Sequence, residues 1–284
     1  MEKNNENNVN SDISPKGRMR GAYVLQIILW TLTIVGIVVV LGFVNKSQKN
    51  SVFDPANVYV DIDYETENRF VDEDGVKSYV INAKDTSKKY LGDYDVLTIE
   101  QKINGNSAIK DAQVYKTIDG KIIVKVKQRR PIARIFTKGE SYYLDEYGSL
   151  MPLSNKYTSR VVVINGRLNE PFAARYKFNY SDLPDSLVSK TILDDLFVLT
   201  NFIDKSPFWK AQIEQVYVNK DLDLELIPKV GNHKIVLGGV DNMDNKFARL
   251  MVFYKKALPK TGWNEYSEIN LKFKNQIVCT KIYN

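Results

Sequence analysis

The sequence predicts an α+β protein carried on one N-terminal transmembrane helix, and three observations predict it. A single uncharged apolar run, Ala22 to Val44, stands near the N-terminus. A strand–helix–helix–strand–strand periodicity follows, from Phe53 to Gln128. From Arg129 onward, short alternating strands outnumber two helical stripes, which reads as a strand-rich β-domain with two helices. The overall composition, 44% hydrophobic and 26% charged, is that of a folded chain.

The apolar run reads AYVLQIILWTLTIVGIVVVLGFV, with Gln26 its most polar member. At the helical rise it spans about 34 Å, enough for a hydrocarbon core of about 30 Å. A cleaved export signal is shorter and ends on small residues. Here Gly42 is followed by Phe43 and no cysteine lies nearby, so the run reads as an uncleaved signal anchor. Lys16, Arg18 and Arg20 precede it, against Lys46 and Lys49 after it. That asymmetry puts the N-terminus in the cytoplasm and the bulk of the chain outside. The resulting plan is a cytoplasmic tail over 1–21, an anchor over 22–44, a polar linker over 45–52, a first domain over 53–128 and a second over 129–284. The Asn-rich tail is expected to be disordered. Cys279 is the lone cysteine, so no intramolecular disulfide forms, and it reads as a small buried strand residue. A sequence pI near 9.0 suits an anionic surface, and an export anchor argues against nucleic acid as the partner.

In the first domain, NVYVDIDYE places Val58, Val60, Ile62 and Tyr64 on one strand face. Asp61, Asp63 and Glu65 on the other face read as solvated, since hard cations gather their ligands from tight loops. DEDGVKSYVINA and DVLTIEQKING read as two helices. IKDAQVYKTIDGKIIVKVKQRR reads as two strands around an Asp119-Gly120 turn, with Ala112, Val114, Ile122, Val124 and Val126 inward. Lys125, Lys127, Arg129, Arg130 and Arg134 form a basic tract that suits anionic headgroups.

Pro131 ends that ladder, and PIARIF opens the second domain. YYLDEYGSLMPLS then reads as a hairpin whose turn starts at Asp145 and closes at Gly148. The basic tract and the aromatic hairpin together are the joint between two domains. RVVVING adds a strand. DSLVSKTILDDLFVLTNFIDK reads as a helix started by Pro184 and Asp185, with Val188, Ile192, Leu196, Leu199 and Ile203 on its apolar face. IEQVYVN and DLDLELIP form a hairpin, and NHKIVLGG another strand. DNKFARLMVFYKKALP is the second helix, burying Phe247, Leu250, Met251 and Tyr254 and ended by Pro259. NEYSEINLKFKNQIVCTK closes the chain as two strands around Lys274-Asn275.

Chemistry is sparse. Ser107 to Lys110 fits S-x-x-K, and Lys260 to Gly262 spells KTG, in the order used by penicillin-binding transpeptidases. The context fails: Ser107 runs into a strand instead of opening a helix, the KTG reads as loop, and no S-D-N lies between. His233, the only histidine, reads as a solvated turn residue. One His and one Cys build no Cys–His metal cluster, and neither a phosphate-binding loop nor a dinucleotide fingerprint is present. No catalytic, cofactor-binding or metal residue is assigned, and no small-molecule substrate. The expectation is a protein that binds other proteins and is not an enzyme.

These segments together resemble the FtsQ/DivIB family of bacterial cell-division proteins. DVLTIEQKINGNSAIKDAQVYKTIDGKIIVKVKQRRPIARI resembles the family's passage from the second helix of its POTRA domain to an R-x-P-I-A junction. YYLDEYGSLMPLS resembles the hairpin with a D-x-x-G turn that follows. INLKFKNQIV resembles the terminal D-L-R-Y-x-N-x-I strand pair, with Asn270, Lys272 and Phe273 standing where the family often has Asp, Arg and Tyr. The resemblance implies a bitopic scaffold of the divisome that links early and late division proteins and helps control septal peptidoglycan synthesis. It implies residence in the bacterial cytoplasmic membrane, enriched at the septum, with the two domains in the periplasm. It also implies small bitopic partners of the FtsB and FtsL type, bound at the terminal edge strand through Phe273, Asn275, Ile277, Cys279 and their neighbours. The competing readings are a POTRA-bearing transport or secretion component and a periplasmic enzyme acting on peptidoglycan.

Overall fold

A computed structural model of the protein describes residues 15–65, 67–83, 90–169 and 191–282. Helix α1, Pro15–Asn50, runs unbroken through the apolar segment, and Tyr23–Val44 has a mean hydropathy of 2.8 with no part of it buried in the protein. Thr31 and Thr33 turn their hydroxyls back to the Ile28 and Leu29 carbonyls at 2.8 Å, which satisfies those polar groups within the helix itself. The helix differs from the expectation at both ends. It takes in the last residues of the expected disordered tail, of which residues 1–14 lie outside the described ones. It also replaces most of the linker, so that only Ser51 and Val52 separate it from the first domain. Phe53 is already core, its ring 4.1 Å from that of Tyr94.

The first domain follows the predicted order: β1 (Val58–Asp63), α2 (Glu73–Ile81), α3 (Val96–Asn104), β2 (Ile109–Lys116) and β3 (Ile122–Gln128). The sheet order is β1-β3-β2, with β1 parallel to β3 and β2 antiparallel to it. Both helices start on an aspartate cap. Asp72 accepts from the Gly75 N–H and Asp95 from the Leu97 N–H, each at 3.1 Å. Val76 and Val80 of α2, with Ile99 and Ile103 of α3, are buried against Ile122, Val124 and Val126. The β2–β3 turn needs Gly120, whose φ of +82° lies in the left-handed region.

The second domain is built on one mixed nine-stranded sheet. Its strands are β4 (Pro131–Phe136), β5 (Ser141–Asp145), β6 (Leu150–Met151), β7 (Val162–Gly166), β8 (Ile213–Val218), β9 (Leu224–Pro228), β10 (Lys234–Gly238), β11 (Tyr266–Asn270) and β12 (Val278–Lys281). They are ordered β12-β11-β10-β9-β8-β7-β4-β5-β6. Parallel neighbours need crossovers, and helices supply two of them. Helices α4 (Ile192–Lys205) and α5 (Pro207–Gln212) lie between β7 and β8. Helices α6 (Met243–Lys256) and α7 (Leu258–Thr261) lie between β10 and β11. Leu196, Leu199 and Ile203 of α4 and Phe247, Leu250 and Tyr254 of α6 bury their side chains with Ile135, Ile164, Val216, Leu226 and Ile269 of the sheet.

Several expectations are corrected here. The first described residue of α4 is Ile192, capped by Thr191, whose N–H reaches Asp194 at 2.6 Å. The start signals at Pro184 and Asp185, and Val188 with them, lie outside the described residues. Pro259 opens the short helix α7 as well as following α6, so the KTG stretch is helical at Lys260 and Thr261 and not loop. Ser107 lies in the other domain. His233 is not solvated but buried, with Nε2 3.0 Å from the Tyr254 hydroxyl. Gly231 leaves room for its ring, since a Cβ there would come within 2.6 Å of it. Burial holds the imidazole below its ordinary pKa and pushes the Tyr254 phenol far up.

Candidate functional site

The nine-stranded sheet has two edges, and the protein treats them differently. At one end β6 is two residues long, and both are buried. Met151 belongs to the core of the first domain, as does Tyr143 of β5. At the other end, among the described residues, β12 pairs with β11 on one side only, Cys279 opposite Ile269 and Val278 opposite Asn270. No described strand pairs with its outer side, the arrangement that recruits another strand.

The covered end is the joint. Gln128 ends β3 with its side-chain oxygen accepting from the Phe70 and Val71 N–H groups at 2.8 and 3.0 Å. Phe70 meets the edges of Tyr143 and Tyr157 at 5.3 and 5.6 Å between ring centroids. The Ser159 N–H donates to the Tyr143 hydroxyl at 3.1 Å. Arg129 donates to Asp145 at 2.7 Å, and Asp145 is fully buried. The same carboxylate accepts from the Tyr147 and Ser149 N–H groups at 2.9 and 2.7 Å. Burial pushes its pKa up, against the pull of Arg129 and the two amides. With its oxygens committed to these donors, Asp145 is the keystone of a turn. Arg130 holds Glu146 at 2.7 Å and Asp204 of α4 at 2.8 Å.

This pairing revises the basic tract. Arg129 and Arg130 are turned inward and neutralised, Lys127 pairs with Glu65, and the Arg134 guanidinium lies 4.8 Å from the centroid of the Phe136 ring. Of the five residues, Lys125 stands exposed on the solvent face of β3. A continuous basic surface does not form, because acids distant in sequence reach back to the arginines.

At the open end, the loop between β11 and β12 is pinned from behind. Arg249 of α6 donates to the carbonyls of Phe273 at 2.9 Å and Leu271 at 3.3 Å, and to that of Gln276. Asn275 takes a left-handed φ of +60°, which turns the chain. The four residues singled out from sequence are therefore not equivalent. Cys279 lies on β12, half-buried, with burial raising its thiol pKa. Ile277 is half-buried and packs on the core just before the strand. Phe273, 46% exposed, and Asn275 sit in the loop and not on a strand. The expected edge strand is thus shorter than Phe273 to Cys279 and begins at Val278. Sequence reasoning missed Arg249 of α6, which reaches the β11–β12 loop, and Val252, which is exposed on the same helix. With Phe253, Lys256, Gln276 and Ile277 they line a shallow apolar groove of about 520 Å³ beside the loop. The signal was available, since Val252 is an apolar residue outside the stripe of Phe247, Leu250, Met251 and Tyr254.

Among the described residues no cluster of His, Cys, Asp or Glu is arranged to hold a metal ion.

Comparison with known proteins agrees with this architecture. A family model described as FtsQ/DivIB, C-terminal related, matches residues 130–280, and one described as a POTRA-like domain matches residues 56–127. The two matches meet at the joint described above. No curated protein matches the chain. The chain belongs to the FtsQ/DivIB family: one apolar N-terminal helix suited to a single-pass membrane protein, a POTRA-like domain and a strand-rich C-terminal domain.

Proposed function

We propose that this protein is a bitopic, non-catalytic scaffold of the bacterial division machinery. In this reading it binds short segments of FtsB- and FtsL-type partners along β12 and helps control septal peptidoglycan synthesis. The N-terminus lies in the cytoplasm, the two domains lie in the periplasm, and the protein gathers at the septum. The single observation that carries the reading is the open edge of β12 on a sheet whose opposite edge is covered. An added strand there completes backbone hydrogen bonds, and neighbouring side chains supply specificity. Phe273, Asn275, Ile277 and Cys279 are the proposed contacts. Phe273 and Asn275 meet the end of the incoming strand from the loop, and Ile277 and Cys279 support β12 from the core side.

The test follows from the strand's alternation. The Ile282 N–H points inward to the Glu265 carbonyl at 3.0 Å, so the Lys281 N–H points to the open side. Lys281→Pro in the full-length protein is expected to abolish co-purification of the bitopic partners from the native bacterium, with the circular dichroism unchanged. Undiminished capture by that variant contradicts the reading.

A further inference from the structure

The end of the first domain that receives α1 carries an apolar surface with no role in the scaffold reading. Beyond Val44, the end of the apolar span, α1 continues to Asn50, a rise of about 9 Å. The headgroup layer is of similar depth, about 5–8 Å per leaflet. The chain is then clamped at once. The Leu91 N–H donates to the Ser51 carbonyl at 2.8 Å, Val52 forms an antiparallel bridge with Tyr90, and Phe53 stacks on Tyr94. With no free linker between anchor and domain, this end of the domain faces the membrane.

The β2–β3 turn arrives at the same place. A Cβ on Gly120 would lie 3.9 Å from Ser51 Oγ. At this end Ile118 is 80% exposed, Val52 71% and Tyr90 44%. Turn positions such as that of Ile118 normally carry polar residues. Asp119, its neighbour, is ion-paired to Lys121 at 2.7 Å, so the turn brings no net negative charge toward lipid. Single exposed apolar residues on a surface are ordinary. Three gathered where a membrane helix leaves the bilayer, with a tyrosine among them and Lys46 on the helix just past the span, follow the composition of membrane–water interfaces.

We infer that this end of the POTRA-like domain rests in the headgroup layer, with Ile118, Val52 and Tyr90 at the lipid–water boundary. The inference rests on α1 spanning the membrane. The contact fixes the height and tilt of the first domain, and the shared core at the joint passes that orientation to the second.

A spin label tests this in the full-length protein carrying Cys279→Ala, reconstituted in nanodiscs of phosphatidylethanolamine and phosphatidylglycerol. Labels are placed in turn at Ile118→Cys, at Val35→Cys within the span, and at Lys138→Cys at the exposed tip of the β4–β5 hairpin. Accessibility to oxygen is compared with accessibility to an aqueous nickel chelate. At position 118 the oxygen-to-nickel ratio is expected several-fold above that at 138, toward the value at 35. A ratio at 118 equal to that at 138, with 35 lipid-exposed, overturns the inference. A label at 35 that reads as aqueous overturns the membrane span itself, and the inference with it, while leaving β12 untouched.

Discussion

The two ends of the nine-stranded sheet pose one physical problem and receive opposite solutions. An edge strand exposes N–H and C=O groups that another chain can pair with. At β6 the strand is cut to two residues and Met151 is sunk into the neighbouring domain, while Arg129–Asp145 and Arg130–Glu146 fix the turn that leads into it. At β12 the backbone is left open, and Arg249 braces the loop from behind. The difference teaches where to look for function. Under the proposed function, the edge left open at β12 is the one that binds.

Breaking the covered end is expected to cost the most. Asp145→Ala leaves the Arg129 guanidinium, itself largely buried, without its counter-charge and frees two turn amides. Loss of a buried pair's partner costs about 3–5 kcal/mol, to be read from denaturant unfolding of the full chain. Met151→Ala removes a fully buried side chain from the core that the domains share, at about 2–4 kcal/mol in the same assay. Tyr143→Phe loses only the acceptor for the Ser159 N–H, about 1–2 kcal/mol. At the open end the balance reverses. Val278→Ser, at an exposed strand position, is expected to move stability by no more than about 0.5 kcal/mol while weakening partner capture. A destabilisation there as large as at Met151 would erase the contrast between the edges.

A smaller effect concerns His233. Burial lowers its folded-state pKa, so below the unfolded value near 6.5 the unfolded chain takes up a proton that the folded chain does not. Stability is therefore fully present above that value and falls as pH drops through it toward the lowered folded value. Thermal melts between pH 7.5 and 5.5 are expected to show this decline, and His233→Gln to flatten it.

The first domain was legible in the sequence because its signals are local. Alternation at Val58 to Asp63 and the helical pattern of the two short segments that became α2 and α3 each lie within one element. What escaped was set by distant partners. His233 reads as a turn residue until α6 brings Tyr254 against it, and Arg130 reads as surface until Asp204 arrives from α4. The start of β12 was misplaced because Arg249, on a helix, draws the Phe273 and Gln276 carbonyls out of any ladder. Helices α5 and α7 were missed for another reason: a run of four to six residues is too short to display a helical period. The proposed partner edge was readable only as a terminal strand. That it is the uncovered edge depends on the strand order of the whole sheet.

The most direct measurement is hydrogen–deuterium exchange on the full-length protein with and without its purified bitopic partners. The account predicts new protection of amides across Val278–Lys281 and unchanged exchange at β5, β6 and the Arg129–Asp145 joint. Partner binding that leaves β12 exchanging as fast as before, with protection appearing elsewhere, would contradict it.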